Sequence, residues 1–193
     1  MSGQIMSPDG QDPATGAARS GGDPDPGGRL AAGAAPLRHF PQEAVDRPLA
    51  GFVRDYADGH ATGWHSHARV QLLYATRGVM RIATEAADFV VPPGRALWVP
   101  AGLPHAVTMR GPVAMRALFL REDAAHRAGP PRTTVLAVSP LLRELILAAC
   151  AEPLEWDERG RGGHLAALIL EEIARAPSLP LRLPAVRDAR LAR

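Results

Sequence analysis

The chain contains no lysine; all 22 of its basic residues are arginine. A lysine Schiff base, and with it a lysine-bound pyridoxal cofactor, is therefore excluded. It contains one cysteine, Cys150. No intrachain disulfide can form and a cysteine-based zinc cluster is ruled out, while a single free thiol fits a reducing compartment. No apolar run approaches the roughly 20 residues that span a bilayer. The first residues also lack the charged start and apolar core of a secretory signal. With alanine, glycine and proline abundant and arginine in place of lysine, as GC-rich coding produces, the expectation is a bacterial cytoplasmic protein without membrane contact. The formal net charge is only +2, which supplies no basic surface for nucleic acid by itself.

The 193 residues suit one domain with appendages. Residues 1–36 carry no aromatic side chain and only two large aliphatics, Ile5 and Leu30. Such a segment buries too little apolar surface to offset its ordering entropy, and a disordered leader is expected. Residues 37–135 alternate short apolar runs with turn signals. Val70–Ala75 stops at Thr76-Arg77-Gly78; Val79–Thr84, Phe89–Val91, Ala96–Val99, Ala106–Met109 and Val113–Leu120 follow. Short strands at close spacing predict a mainly-β sandwich or barrel.

Residues 136–176 change period. Ser139 is a good N-cap and Pro140 suits a first helical turn. Leu141, Leu142, Leu145, Ile146 and Ala149 then recur at helical spacing. A second helix is expected from about Gly163 to Ala176, with Leu165, Leu168, Ile169 and Ile173 on its buried face. The pair forms a hairpin that must bury its stripe against the β-domain or another subunit. Residues 177–193 are interrupted by prolines, which forbid regular helix, and read as a linker.

Two motifs in the β-region carry chemistry. The first is Gly59-His60-Ala61-Thr62-Gly63-Trp64-His65-Ser66-His67, followed by Gln71 and Gly78; the second runs from Gly94 to Pro100-Ala101-Gly102-Leu103-Pro104-His105. On a strand, residues two apart share a face, so His65 and His67 point one way, as do Arg69, Gln71 and Leu73. Imidazole suits zinc, nickel, copper and iron. Gly78, Gly94 and Gly102 fall within these motifs, and glycine allows a sharp reversal with positive φ without steric cost. His39, His60, His126 and His164 lack a partner pattern and read as surface or structural. Trp64, Tyr74 and Trp98 read as core or rim packing, each able to line a pocket, and Cys150 as a buried apolar side chain.

The two motifs, in this order and spacing, resemble the signature pair of the cupin superfamily. That resemblance implies a double-stranded β-helix (jelly-roll) barrel with His65, His67 and His105 converging inside it. Gln71 stands where the pattern usually has glutamate, which removes a negative charge from the site, and Met109 stands where many cupins have asparagine. The implied pocket is His65, His67, Gln71 and His105, with Arg69, Leu73 and Trp98 as lining; the resemblance implies either a divalent transition metal (zinc, nickel or iron) or no cofactor, the histidines then serving as pocket donors or packing groups.

A narrower resemblance covers residues 40–193. Gln71–Ala75, Gly78-Val79-Met80, Trp98–Gly102, Pro104-His105 and Met109–Val113 are similar to the sensor domain of AraC-family transcription regulators. In that family a cupin-like domain binds an effector, a helical pair (here 136–176) mediates dimerisation, and a linker leads to a domain with two helix-turn-helix motifs. The latter takes on the order of a hundred residues, and none follow Arg193 in this sequence. The expectation is a sensing and dimerising unit, not an enzyme. It takes a small-molecule or metal effector, forms a homodimer, and reaches DNA only through a C-terminal domain absent here. Two further readings stay open. One is a small metal-dependent cupin enzyme, a dioxygenase or isomerase. The other is a regulator whose effector is the metal itself.

Overall fold

A computed structural model describes residues 40–180 and the backbone of 183–184. The expected leader, residues 1–36, and most of the expected linker, 177–193, lie outside the described residues. The first element among the described residues is a single helical turn, α1 (Pro41–Ala44). The chain continues through strands β1 (Leu49–Tyr56), β2 (Val70–Thr84), β3 (Ala87–Val91), β4 (Arg95–Val99) and β5 (His105–Leu120). Helix α2 (Glu122–Ala128), strand β6 (Thr134–Ala137), helices α3 (Pro140–Cys150) and α4 (Arg161–Arg175), and two short strands, β7 (Ser178–Leu179) and β8 (Leu183–Pro184), complete it.

Among the described residues the strands form one antiparallel sheet of eight, in the order β1-β5-β2-β4-β6-β7, with β3 between β2 and β8. This corrects the expectation of a closed jelly-roll barrel. Among the described residues β1 and β7 end the path without pairing to one another, so the sheet stays open. The mainly-β domain with a helical pair after it stands. Two long strands, β2 and β5, run side by side from Val70↔Leu120 to Thr84↔His105. Each serves different neighbours along its length. The first half of β2 pairs with β4 and its second half with β3, while the second half of β5 pairs with β1.

The strand break expected at Gly78 is a bulge instead. Gly78 has φ +79°, and the β2–β5 register shifts between Ala75 and Arg77 and again between Arg77 and Val79. An extra residue in one strand bends and twists it without ending it, so two expected strands are one of 15 residues. The same fusion joins 106–109 to 113–120, with Gly111 at φ +71°.

Period-two alternation distributes the apolar side chains between two cores. Leu72 and Tyr74 on β2 point outward to a cluster shared with Trp98, Leu118 and the helices. Leu73, Ala75, Met80 and Ile82 point inward to a second cluster with Leu97, Val107 and Met115. The Ser139 hydroxyl caps α3 by accepting from the Leu142 amide at 3.0 Å. Leu142, Leu145, Ile146 and Ala149 of α3 and Ala166, Ile169 and Ile173 of α4 are buried in the outer cluster. The hairpin thus buries its stripe on the sheet's own outer face. Leu141 and Leu168, expected in that stripe, remain about half exposed. The α3 contact is close at Gly51, where an added Cβ would stand 2.6 Å from Cys150 Cα.

Candidate metal and effector site

The stretch before β2 carries the first two imidazoles and the start of β5 carries the third. Two reciprocal backbone hydrogen bonds join them: His65 N–H donates to His105 O at 3.0 Å and His105 N–H to His65 O at 2.9 Å. The Gly102 amide donates to His67 O at 2.8 Å, which fastens the second motif's turn to the first motif. These bonds bring residues far apart in sequence onto one patch of the inner face.

The rings gather accordingly. Centroids of His65 and His105 lie 4.4 Å apart, of His65 and His67 4.9 Å, and of His67 and His105 5.6 Å. One ring nitrogen from each of the three lies within 4.8 Å of the others, and all three residues are buried. His65 Nδ1 is 2.8 Å from Gly63 O, and His105 Nδ1 is 3.0 Å from Leu103 O. A carbonyl only accepts, so each of these nitrogens donates to it. His67 Nδ1 stands 3.5 Å from Glu43 Oε1.

The cluster opens onto a cavity of about 210 Å³. Its walls combine His65, His67, Gln71 and His105 with apolar side chains that include Phe52, Leu73 and Phe119. The Gln71 carbonyl oxygen Oε1 is buried and has no hydrogen-bond partner among the described residues. A buried acceptor in that state calls for a cation or a donor. Three imidazoles and an amide oxygen form a neutral N/O donor set that fits a divalent first-row transition ion, so the residues present are compatible with a bound metal.

Two residues expected to line the pocket lie elsewhere. Arg69 is buried, but its guanidinium donates to the carbonyls of Val45 and Arg47. The chain bends at Ala68–Arg69 before β2 begins, so the period-two argument that aligned Arg69 with His67 does not apply across it. Burial lowers the Arg69 pKa, with Arg121 adding to the effect. Trp98 belongs to the outer core, where its ring lies against Gly129. Among the remaining histidines, His126 and His164 are exposed and His39 lies outside the described residues. His60 is exposed but lines the cavity, its ring 4.9 Å from that of Tyr56.

The same Tyr56 ring carries the Arg54 guanidinium at 5.3 Å. Arg54, Tyr56 and Phe40 all line the cavity, and no motif in the sequence marks them for it. The one available signal is the apolar start Leu49-Ala50-Gly51-Phe52-Val53 of β1, which reads as a strand only once β5 is known as its partner.

A small mainly-β domain with a buried imidazole cluster on its inner face and helices on its outer face is a ligand-binding module. Residues 51–173 match the family described as the AraC-like ligand binding domain, and the chain belongs to that family. The HTH-type transcriptional regulator NimR of Escherichia coli (strain K12) is 29% identical over 120 residues, which cover 62% of this chain and 43% of that protein. The chain therefore spans less than half the length of this curated relative. Among solved structures, ToxT from Vibrio cholerae covers 63% of this chain and 53% of its own, with 3% identity and a TM-score of 0.47. Oxalate decarboxylase of Bacillus subtilis, a protein with Mn(II) centers, is 21% identical over 39% of this chain and 22% of its own, with a TM-score of 0.36. The expectation that the chain is not an enzyme is corrected by the triad itself: three buried imidazoles this close can hold a metal capable of catalysis. No described helix is long and apolar enough to cross a membrane.

Proposed function

We propose that this domain senses an effector in the imidazole-lined cavity and that His65, His67 and His105, with Gln71 beside them, hold a divalent transition metal there, of the zinc, nickel or iron type. The observation that carries the reading is the convergence of three buried ring nitrogens within 4.8 Å. A bound ion would act as a Lewis acid toward an oxygen or nitrogen of the ligand. The protein's own residues do the rest. The carbonyls of Gly63 and Leu103 orient two of the rings. Phe52, Leu73 and Phe119 give the cavity apolar walls, and the Arg54 guanidinium and the His60 ring lie against the Tyr56 ring.

Signalling follows from differential binding: an effector shifts the domain only as far as it prefers one arrangement over another. The sheet region to residue 135 serves as the sensing unit and residues 136–176 as the pairing unit. Leu141 and Leu168, about half exposed on α3 and α4, supply apolar surface for a two-fold contact with a second copy. In an intact regulator of bacterial cytoplasm, DNA is read by a helix-turn-helix domain joined to this one. A second reading, a metal-dependent enzyme, rests on the same triad and would leave metal coordination positions open to substrate.

Metal analysis of protein purified without a polyhistidine tag tests the proposal. About one zinc, nickel or iron per chain, lost in the His65→Ala/His67→Ala double variant, supports it. A metal-free wild type that takes up none of these ions on titration contradicts it. Oxygen consumption or isomerase turnover by the loaded protein would favour the enzyme over the sensor.

A further inference from the structure

Each of the three imidazoles has an oxygen behind its Nδ1. For His65 and His105 it is a main-chain carbonyl two residues earlier, at 2.8 and 3.0 Å. For His67 it is the carboxylate of Glu43, at 3.5 Å, and it comes from a separate element, α1. This carboxylate is fixed in place: Oε1 accepts from the Ala68 amide at 2.8 Å and Oε2 from the Phe40 amide at 3.0 Å. Both side chains are out of solvent, His67 at 2% and Glu43 at 5% exposure. The site's inner donors are neutral, since Gln71 brings an amide where a carboxylate would bring a charge. The Glu43 carboxylate stands one layer out, against His67 Nδ1.

We infer that Glu43 is the outer carboxylate of the metal site, holding the His67 ring with Nδ1 toward itself and Nε2 toward the cavity and compensating the charge of the ion. The inference rests on the triad being a metal site. Metal-bound imidazoles characteristically give their second nitrogen to a carboxylate or carbonyl, which fixes the ring and raises its basicity, and loss of such a partner costs about 10- to 100-fold in metal affinity. Glu43 is a positioning residue in this account: it acts through His67.

The alternative is that Glu43 only pins α1 to the start of β2 through the Ala68 amide. Glu43→Gln removes the charge while its one amide oxygen can still accept from the Ala68 amide; the Phe40 amide loses its acceptor. Co²⁺ titration followed by its visible d–d absorption, with Zn²⁺ competition, gives the affinity and a signature of ligand geometry that a docking role would not move. The expected result is one Co²⁺ per wild-type chain, none in His67→Ala, and binding weakened about 10- to 100-fold in Glu43→Gln with the metal-free variant still folded by circular dichroism. Wild-type affinity in Glu43→Gln overturns the inference and leaves the metal site standing. A wild type that binds no Co²⁺ overturns both. Should Glu43→Gln fail to fold, ¹⁵N NMR of the Zn²⁺-loaded wild type decides the matter: a protonated Nδ1 and metal-bound Nε2 at His67 support it, and a metal-bound Nδ1 at His67 overturns it.

Discussion

His65 and His105 exchange both of their backbone hydrogen bonds, at 3.0 and 2.9 Å, and their rings stand 4.4 Å apart. The main chain, not the rings, brings the two motifs together. Substituting either side chain should therefore leave the bridge in place and remove only a ligand. In His105→Ala, metal affinity is expected to fall by more than the roughly 10- to 100-fold that outer-layer changes cost. The far-ultraviolet circular dichroism should stay that of the wild type. Calorimetric titration beside the spectrum checks both halves.

Gly78 is expected to be the least replaceable glycine of the first motif. Its φ is +79°, and an added Cβ would meet Pro112 O at 2.5 Å and Val113 Cα at 2.9 Å. Both obstacles are backbone and cannot swing aside. Gly78→Ala adds left-handed strain of about 1–3 kcal/mol to a clash that the β2–β5 ladder must absorb. Denaturant midpoints should drop accordingly. Gly94→Ala shares the positive φ but meets nothing within 4 Å, so it should cost less.

Gly51 holds the sheet and the helical pair together by being small. Its missing Cβ is what lets Cys150 and Ala149 of α3 lie against β1. Gly51→Ala should push α3 outward, with the roughly 1–3 kcal/mol typical of overpacking. The loss should show as earlier hydrogen exchange in Pro140–Cys150 than in β2 and β5.

Cys150 should be slow to react in the folded protein. Burial pushes its thiol from 9.0 up to about 11, so little thiolate exists near neutral pH. The folded value lies above the unfolded one. Its contribution to stability is therefore complete below about pH 9 and is lost as pH rises through about 11. Alkylation at about pH 8 should be much slower than in denaturant. Unfolding midpoints should fall between about pH 9 and 11, with a shallower fall in Cys150→Ala.

The imidazole cluster was legible in the sequence because its parts obey local rules. His65 and His67 are two apart, His105 follows a stiff Pro-Ala-Gly-Leu-Pro turn, and the glycines sit where positive φ is found. Helix α3 was legible through its Ser139 cap and apolar period. What local rules do not carry is pairing at a distance. Nothing near Leu49–Tyr56 announces that its partner is Val113–Leu120. Nothing in the motifs says whether the outer strands meet, so the closed barrel was expected and an open sheet is found. One bend at Ala68 takes Arg69 out of line with His67, and no local rule announces the tie of Glu43 to His67, which spans two elements.

The central claim is that the three buried imidazoles hold one metal ion. Its most direct measurement is the metal content of tag-free protein by mass spectrometry, with extended X-ray absorption at the edge of whichever metal is found. The account predicts about one ion per chain with a first shell of imidazole nitrogens, abolished in His65→Ala, His67→Ala and His105→Ala alike. A full complement of metal that survives all three substitutions, or no uptake of zinc, nickel or iron by the wild type, would contradict it.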